Sequence, residues 1–185
     1  MSLELVTALS SVGTLIVIAA SAYAALRQLR HQRGGNQIVA LTECREVLES
    51  PDFHAARLFV TNKLPLLLED AAFRKKITQG YFNDFQPAAT VGNFFESLGV
   101  FVKNGIIDKD IAADLWSGVV LECWKAIAPA AYVRRRSDPT VWENFEYLAT
   151  TMRDWEVRYP NGTYPPAMSR MENADKWRDV DVTVA

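Results

Sequence analysis

The stretch LVTALSSVGTLIVIAASAYAALRQLRHQR, Leu5 to Arg33, decides how the rest of this chain is read. From Leu5 to Leu26 it carries no charged side chain, and Glu4 lies just outside. Such a run is a signal peptide, a buried helix or a membrane span. A span needs roughly 20 mostly apolar residues, and at 1.5 Å of rise per residue Leu5 to Leu26 would reach about 33 Å. A secretory signal has basic residues before its apolar run and a small-residue cleavage site after it. Here Glu4 precedes the run, and Ala20-Ser21-Ala22 lies inside it. The basic residues Arg27, Arg30 and Arg33 come afterwards, with His31 among them. The positive-inside rule then orients the segment with its N-terminus out and the remaining chain in the cytoplasm. Residues 1–33 are therefore expected to form an uncleaved single-pass transmembrane anchor with a basic flank, and Tyr23 suits its interfacial end. Ser10 with Thr14, Gly13 with Val17, and Ala20 with Ala24 lie at spacings that allow close helix approach and self-association.

The bulk composition excludes more than it assigns. A formal charge of −2 over 185 residues implies no global field for nucleic acid. The two cysteines, Cys44 and Cys123, form no CxxC pair and have no histidine at ligand spacing. Free buried thiols are expected. With only His31 and His54 in the chain, no His-rich metal site is expected, and no cofactor motif is present.

Beyond the anchor the spacing predicts an all-α bundle over residues 34–160 and an extended or mobile tail over 161–185. Gly34-Gly35 reads as a flexible joint. Ile38, Leu41, Cys44 and Leu48 mark one face of a helix over 36–49. Ser50, Pro51 and Asp52 are an N-cap, a first-turn proline and a favourable acid for the next helix, which Pro65 interrupts near Leu64. A short helix fits within 66–79. Phe85, Phe95, Leu98 and Val102 repeat at helical spacing, Pro87 marks a kink or a late start, and Asn104-Gly105 is a stop. Asp108 caps a helix that is apolar on two faces, Ile111/Leu115/Val119/Glu122/Ala126 and Trp116/Val120/Trp124/Ile127, which makes it the expected centre of the bundle. Pro129 should bend it. After Asp138-Pro139, the residues Trp142, Phe145, Leu148, Met152, Trp155 and Tyr159 form an amphipathic stripe. Only DVTVA at the end has a strand-like pattern.

The sequence NFFESLGVFVKNGIID, then CWKAIAPAAYVRRR, then WENFEYLA resembles the bacterial family catalogued as domain of unknown function 4760. That resemblance covers the chain from the anchor to about Trp155. It implies one N-terminal membrane helix and a cytosolic helical domain, and it brings no activity. A looser likeness is to the small membrane accessory proteins of type VI-B CRISPR systems, with degenerate HEPN-type domains. A HEPN ribonuclease needs an arginine five to seven positions before a histidine, whereas Arg27 stands four before His31 and no arginine suitably precedes His54.

Glu96, set among Phe94, Phe95, Leu98 and Val100, is the candidate carboxylate. Lys125, Arg134, Arg135 and Arg136 are the cations expected to reach it, as a buried ion pair or a ligand contact. Arg134 to Arg136 also suit a helix C-terminus, or a phosphate-bearing ligand or anionic lipid. Glu122 and Glu146 lack the Glu-x-x-His partner of a di-iron bundle. No catalytic and no metal residues are expected. The functional expectation is a non-enzymatic protein of the bacterial inner membrane that assembles with itself or a cytosolic protein partner, in a pore or in phage defence. Its partners would be the lipid bilayer, its own copies and that protein, with no nucleic acid. The alternatives are a membrane-tethered HEPN-derived ribonuclease and a membrane-anchored ligand sensor.

Overall fold

The computed structural model describes residues 3–80 and 82–171, and within the first helix the side chains of residues 13–15, 17–28 and 34–49. Its architecture is all-α. Helix α1 runs from Leu3 to Glu49, followed by α2 (Pro51–Asn62), α3 (Leu64–Leu68) and α4 (Ala71–Gln79). A 3-10 turn (Asn83–Phe85) leads into α5 (Gln86–Lys103), α6 (Lys109–Arg134) and α7 (Glu143–Arg158). DVTVA lies outside the described residues.

The N-terminal segment corrects the sequence expectation. Among the described residues no helix is long and apolar enough to cross a membrane, so a transmembrane helix over residues 1–33 is not supported. The physical reason is the texture of the run. Ser10, Ser11, Thr14 and Ser21 with Gly13 lower its hydropathy, and the helix that holds it does not end at the basic residues but continues to Glu49. The Gly34-Gly35 joint is also corrected, because α1 passes through both glycines without interruption. A helix-interior glycine costs only about 1 kcal/mol relative to alanine, which the helix formers on either side offset. The expected boundary at residue 34 therefore falls inside one continuous helix, about 70 Å long at 1.5 Å per residue. Arg27 is exposed on it, while the side chains of Arg30, His31 and Arg33 lie outside the described residues.

Most helix ends follow the local signals. Ser50 Oγ accepts from the Phe53 N–H at 3.2 Å with Pro51 in the first turn of α2. Asp108 Oδ1 accepts from the Asp110 and Ile111 N–H groups and starts α6. Gly105, at φ +67°, ends α5, with Ile106 N–H on Phe101 O and Gly105 N–H on Val102 O. That paired return is the Schellman arrangement, which only glycine enters without Cβ strain. Asp70 breaks the short helix expected in 66–79 by capping α4, its Oδ1 accepting from the Ala72 N–H at 2.8 Å.

Helix α5 packs between α2 and α7 and also touches α6. Phe53 packs edge-on against Phe94 and Phe95, and Phe95 stacks on Phe145, which meets the edge of Trp124. A second aromatic chain joins Phe73, Phe82, Phe85 and Trp142. Helix α6 packs against α2, α3, α4, α5 and α7, as a central helix would. Its Ala112, Val120, Cys123 and Ile127 are buried, whereas Ile111 and Leu115 face outward. It stays helical through Pro129. Both cysteines are free and buried.

Candidate functional site

The densest polar cluster sits where α5 meets the connection from α6 to α7. It begins with a spacing on α5: Gly92, Asn93, Glu96 and Gly99 follow one another at one, three and three positions, so that Glu96 has Gly92 four and Asn93 three positions before it and Gly99 three after it, on one helix face. The two glycines let the incoming segment approach. A Cβ on Gly92 would stand 2.3 Å from the Trp142 ring, and one on Gly99 would stand 2.1 Å from the Asn144 carbonyl oxygen. Between them the two polar side chains take hold. Asn93 Oδ1 accepts from Trp142 Nε1 at 3.0 Å. Glu96 Oε2 accepts from the Phe145 backbone N–H at 2.9 Å, and Oε1 accepts from Asn144 Nδ2 at 2.6 Å. Lys103 Nζ, one turn further along α5, donates to Asn144 Oδ1 at 3.1 Å.

The first N–H groups of a helix have no partner within the helix. Glu96 satisfies one of those in α7 from another element, and its negative charge faces the positive end of the α7 dipole. The residue at the usual capping position is Trp142, which has no side-chain cap and lies in the left-handed region at φ 53°, ψ 37°. Such a conformation costs a non-glycine residue about 1–3 kcal/mol and persists where its surroundings over-determine it. Here they do. The indole is buried, bonded to Asn93 and stacked 6.1 Å from Phe85, while the Trp142 carbonyl accepts from Arg135 Nη2 at 3.1 Å and from the Glu146 N–H.

Arg135 gathers the other side of the corner. Its Nε donates to Val141 O at 2.8 Å, its Nη2 to Trp142 O, and its Nη1 to Glu146 Oε2. The planar guanidinium thus ties the end of α6 to the turn and to the first turn of α7. Arg134 lies over the rings of Phe85 and Trp142, at 5.9 and 5.7 Å.

The sequence-selected residues therefore separate. Glu96 is engaged by Asn144 and Phe145, and Arg135 by Glu146 and two carbonyls. Lys125 and Arg136 are exposed and lie apart from this cluster. Both Glu96 oxygens accept from the chain's own groups, so the carboxylate serves as a cap in this arrangement. Sequence reading placed Trp142 on the apolar stripe of α7 and did not single out Asn93, Asn144 or the pairing of Arg135 with Glu146. The available signal was Gly92 and Gly99 bracketing Asn93 and Glu96 on one face, a mark of close approach. Glu122 is exposed, and His54 is exposed on α2.

Cys123 is fully buried, and desolvation, with a smaller contribution from Glu122, pushes its thiol up to about 12. Cys44, where α1 meets the bundle, is also raised, chiefly by burial.

A family model described as Domain of unknown function (DUF4760) matches residues 15–155, a span that contains the whole Glu96 junction. No curated protein and no solved structure matches the chain, so the likeness to type VI-B CRISPR accessory proteins gains no support from them. By the extent of that match, the chain belongs to the DUF4760 family.

Proposed function

We propose that this protein is a non-enzymatic assembly module, in which the bundle is a rigid body and the projecting part of α1 is the surface through which copies associate. One observation carries the reading. Among the described residues, helix α1 meets the bundle near its C-terminal end, where Cys44 is buried and Ala40, Leu41 and Leu48 pack against the core. Further towards the N-terminus, Leu15, Ile18 and Leu26 are 59–67% exposed, and Ala22 is exposed between them. Their spacing of three, four and four residues places them on one face of the helix, the pattern by which helices pair. Full burial of each large side chain would contribute about 1.5–3 kcal/mol, a driving force the bundle itself leaves unused.

The Glu96 and Arg135 contacts fit this reading as the rigid support of the body from which α1 projects. Sedimentation of the full chain and of Ile18→Glu tests the proposal. The native chain should form an oligomer, and the variant should fall towards the monomer. Two monomeric species, or an oligomer indifferent to the charge at position 18, would end it.

A further inference from the structure

Helix α4 and the turn after α6 enclose an open depression of about 570 Å³, lined by Ala71, Arg74, Lys75, Thr78, Arg136 and Ser137. The two elements are joined there by Ser137, whose Oγ lies 3.0 Å from the Thr78 and Arg134 carbonyl oxygens. The neighbouring cations have other work: Arg135 pairs with Glu146, Arg134 covers Phe85 and Trp142, and Lys76 lies 5.9 Å over Phe82. Arg74, Lys75 and Arg136 line the depression itself. Among the described residues none of these three has a carboxylate within ion-pair distance. The nearest acids in sequence do not compete, since Asp70 caps α4 and Asp138 Oδ1 accepts from the Thr140 N–H and hydroxyl.

Arg74 is held in place by its own chain. Its Nη1 donates to Leu68 O at 2.6 Å and to Glu69 O at 2.9 Å, at the end of α3. Those two bonds use both Nη1 hydrogens and leave the Nε and Nη2 edge, a fork that matches two oxygens of one anion. The Thr78 hydroxyl proton is already spent on Lys75 O at 2.7 Å. Any ligand is therefore met by cations, and it must bring negative charge and several acceptor oxygens. A carboxylate has two oxygens for three cations, whereas a phosphoryl group has three and fits the guanidinium fork. The volume falls within the usual range for small-molecule sites.

We infer that this depression binds phosphoryl groups, with Arg74, Lys75 and Arg136 as the recognising side chains. A soluble organic phosphate and a phosphorylated lipid headgroup share that chemistry, and the test separates them. The full chain is titrated calorimetrically with inorganic pyrophosphate. It is then co-sedimented with phosphatidylcholine vesicles, with and without phosphatidylinositol phosphate. Arg136→Gln and Lys75→Gln change exposed side chains and should keep the native circular dichroism spectrum. Each removes one charge-assisted contact and should weaken binding about tenfold, whereas Lys125→Gln, outside the depression, should not. Arg74→Lys keeps the charge, loses the fork, and should weaken binding as well. Saturable pyrophosphate binding with this pattern supports a soluble ligand. Binding only to phosphorylated vesicles, with the same pattern, supports the headgroup. Absence of binding in both arms, or equal weakening by Lys125→Gln, overturns the inference.

Discussion

Replacing Gly99 by alanine sets two physical effects against each other. Helix propensity alone makes the change favourable by about 1 kcal/mol, because Gly99 lies inside α5. The structure predicts the opposite sign. The new Cβ would stand 2.1 Å from Asn144 O and 2.6 Å from the carbonyl carbon, and neither is the yielding end of a flexible side chain. Relief requires the first turn of α7 to move by about 1 Å, on the scale of a normal van der Waals contact. That movement would stretch the Glu96 bonds to Phe145 N–H and Asn144 Nδ2, now 2.9 and 2.6 Å. Overpacking costs about 1–3 kcal/mol and a lost helix cap about 1–2 kcal/mol, so the net destabilisation is about 1–4 kcal/mol after the propensity gain. Gly118 is the internal control. It also lies inside a helix, α6, but a Cβ there meets nothing within 4 Å. Gly118→Ala should therefore stabilise by about 0.5–1 kcal/mol. Urea unfolding followed by far-ultraviolet circular dichroism measures both against the native chain. A Gly99→Ala protein as stable as the native one would refute the tight α5–α7 seam.

Three further outcomes follow from the same geometry. Glu96→Ala should cost about 2–3 kcal/mol in the same unfolding assay, and Glu96→Gln about 1 kcal/mol, since the amide keeps one acceptor while losing the charge. Arg135→Lys should cost about 1–2 kcal/mol despite keeping its charge, because an ammonium cannot hold Val141 O, Trp142 O and Glu146 together, and equal stability of the two proteins would remove the guanidinium's role. The Cys123 thiol, raised from 9.0 to about 12, should resist a thiol reagent at pH 8 in the folded chain and react once denaturant is added. The linked stability effect has a definite sign: the unfolded thiol loses its proton above about pH 9 while the folded one keeps it, so stability should fall as pH rises from 9 through 12.

What the sequence made legible was local. Ser50-Pro51, Asn104-Gly105 and Asp108 act within a few residues of themselves, and each ends or starts a helix where its chemistry says it should. The α7 stripe was legible too, with Phe145, Leu148 and Met152 all buried. The misreadings have particular causes. Gly34-Gly35 has joint-like composition, yet a long helix absorbs two glycines when its neighbours favour helix. Two apolar faces on α6 suggested a central helix, and α6 does pack against α2, α3, α4, α5 and α7, although Ile111 and Leu115 at the start of one face are exposed. The Leu5–Leu26 run was weighed as a separate span by its lack of charge, whereas it is one part of a helix that continues to Glu49. Glu96 and Arg135 stood out as residues, but their partners did not. Glu96 meets Asn144 across 48 positions, and Ser137 meets Thr78 across 59, so only the folded chain brings them together.

The central claim is that the exposed face of α1 drives assembly. Native mass spectrometry of the full chain beside a chain beginning at Gly35 tests it most directly. A closed oligomer for the full chain and a folded monomer for the shortened one is the predicted result. The same oligomer from both, or monomers from both, would contradict it.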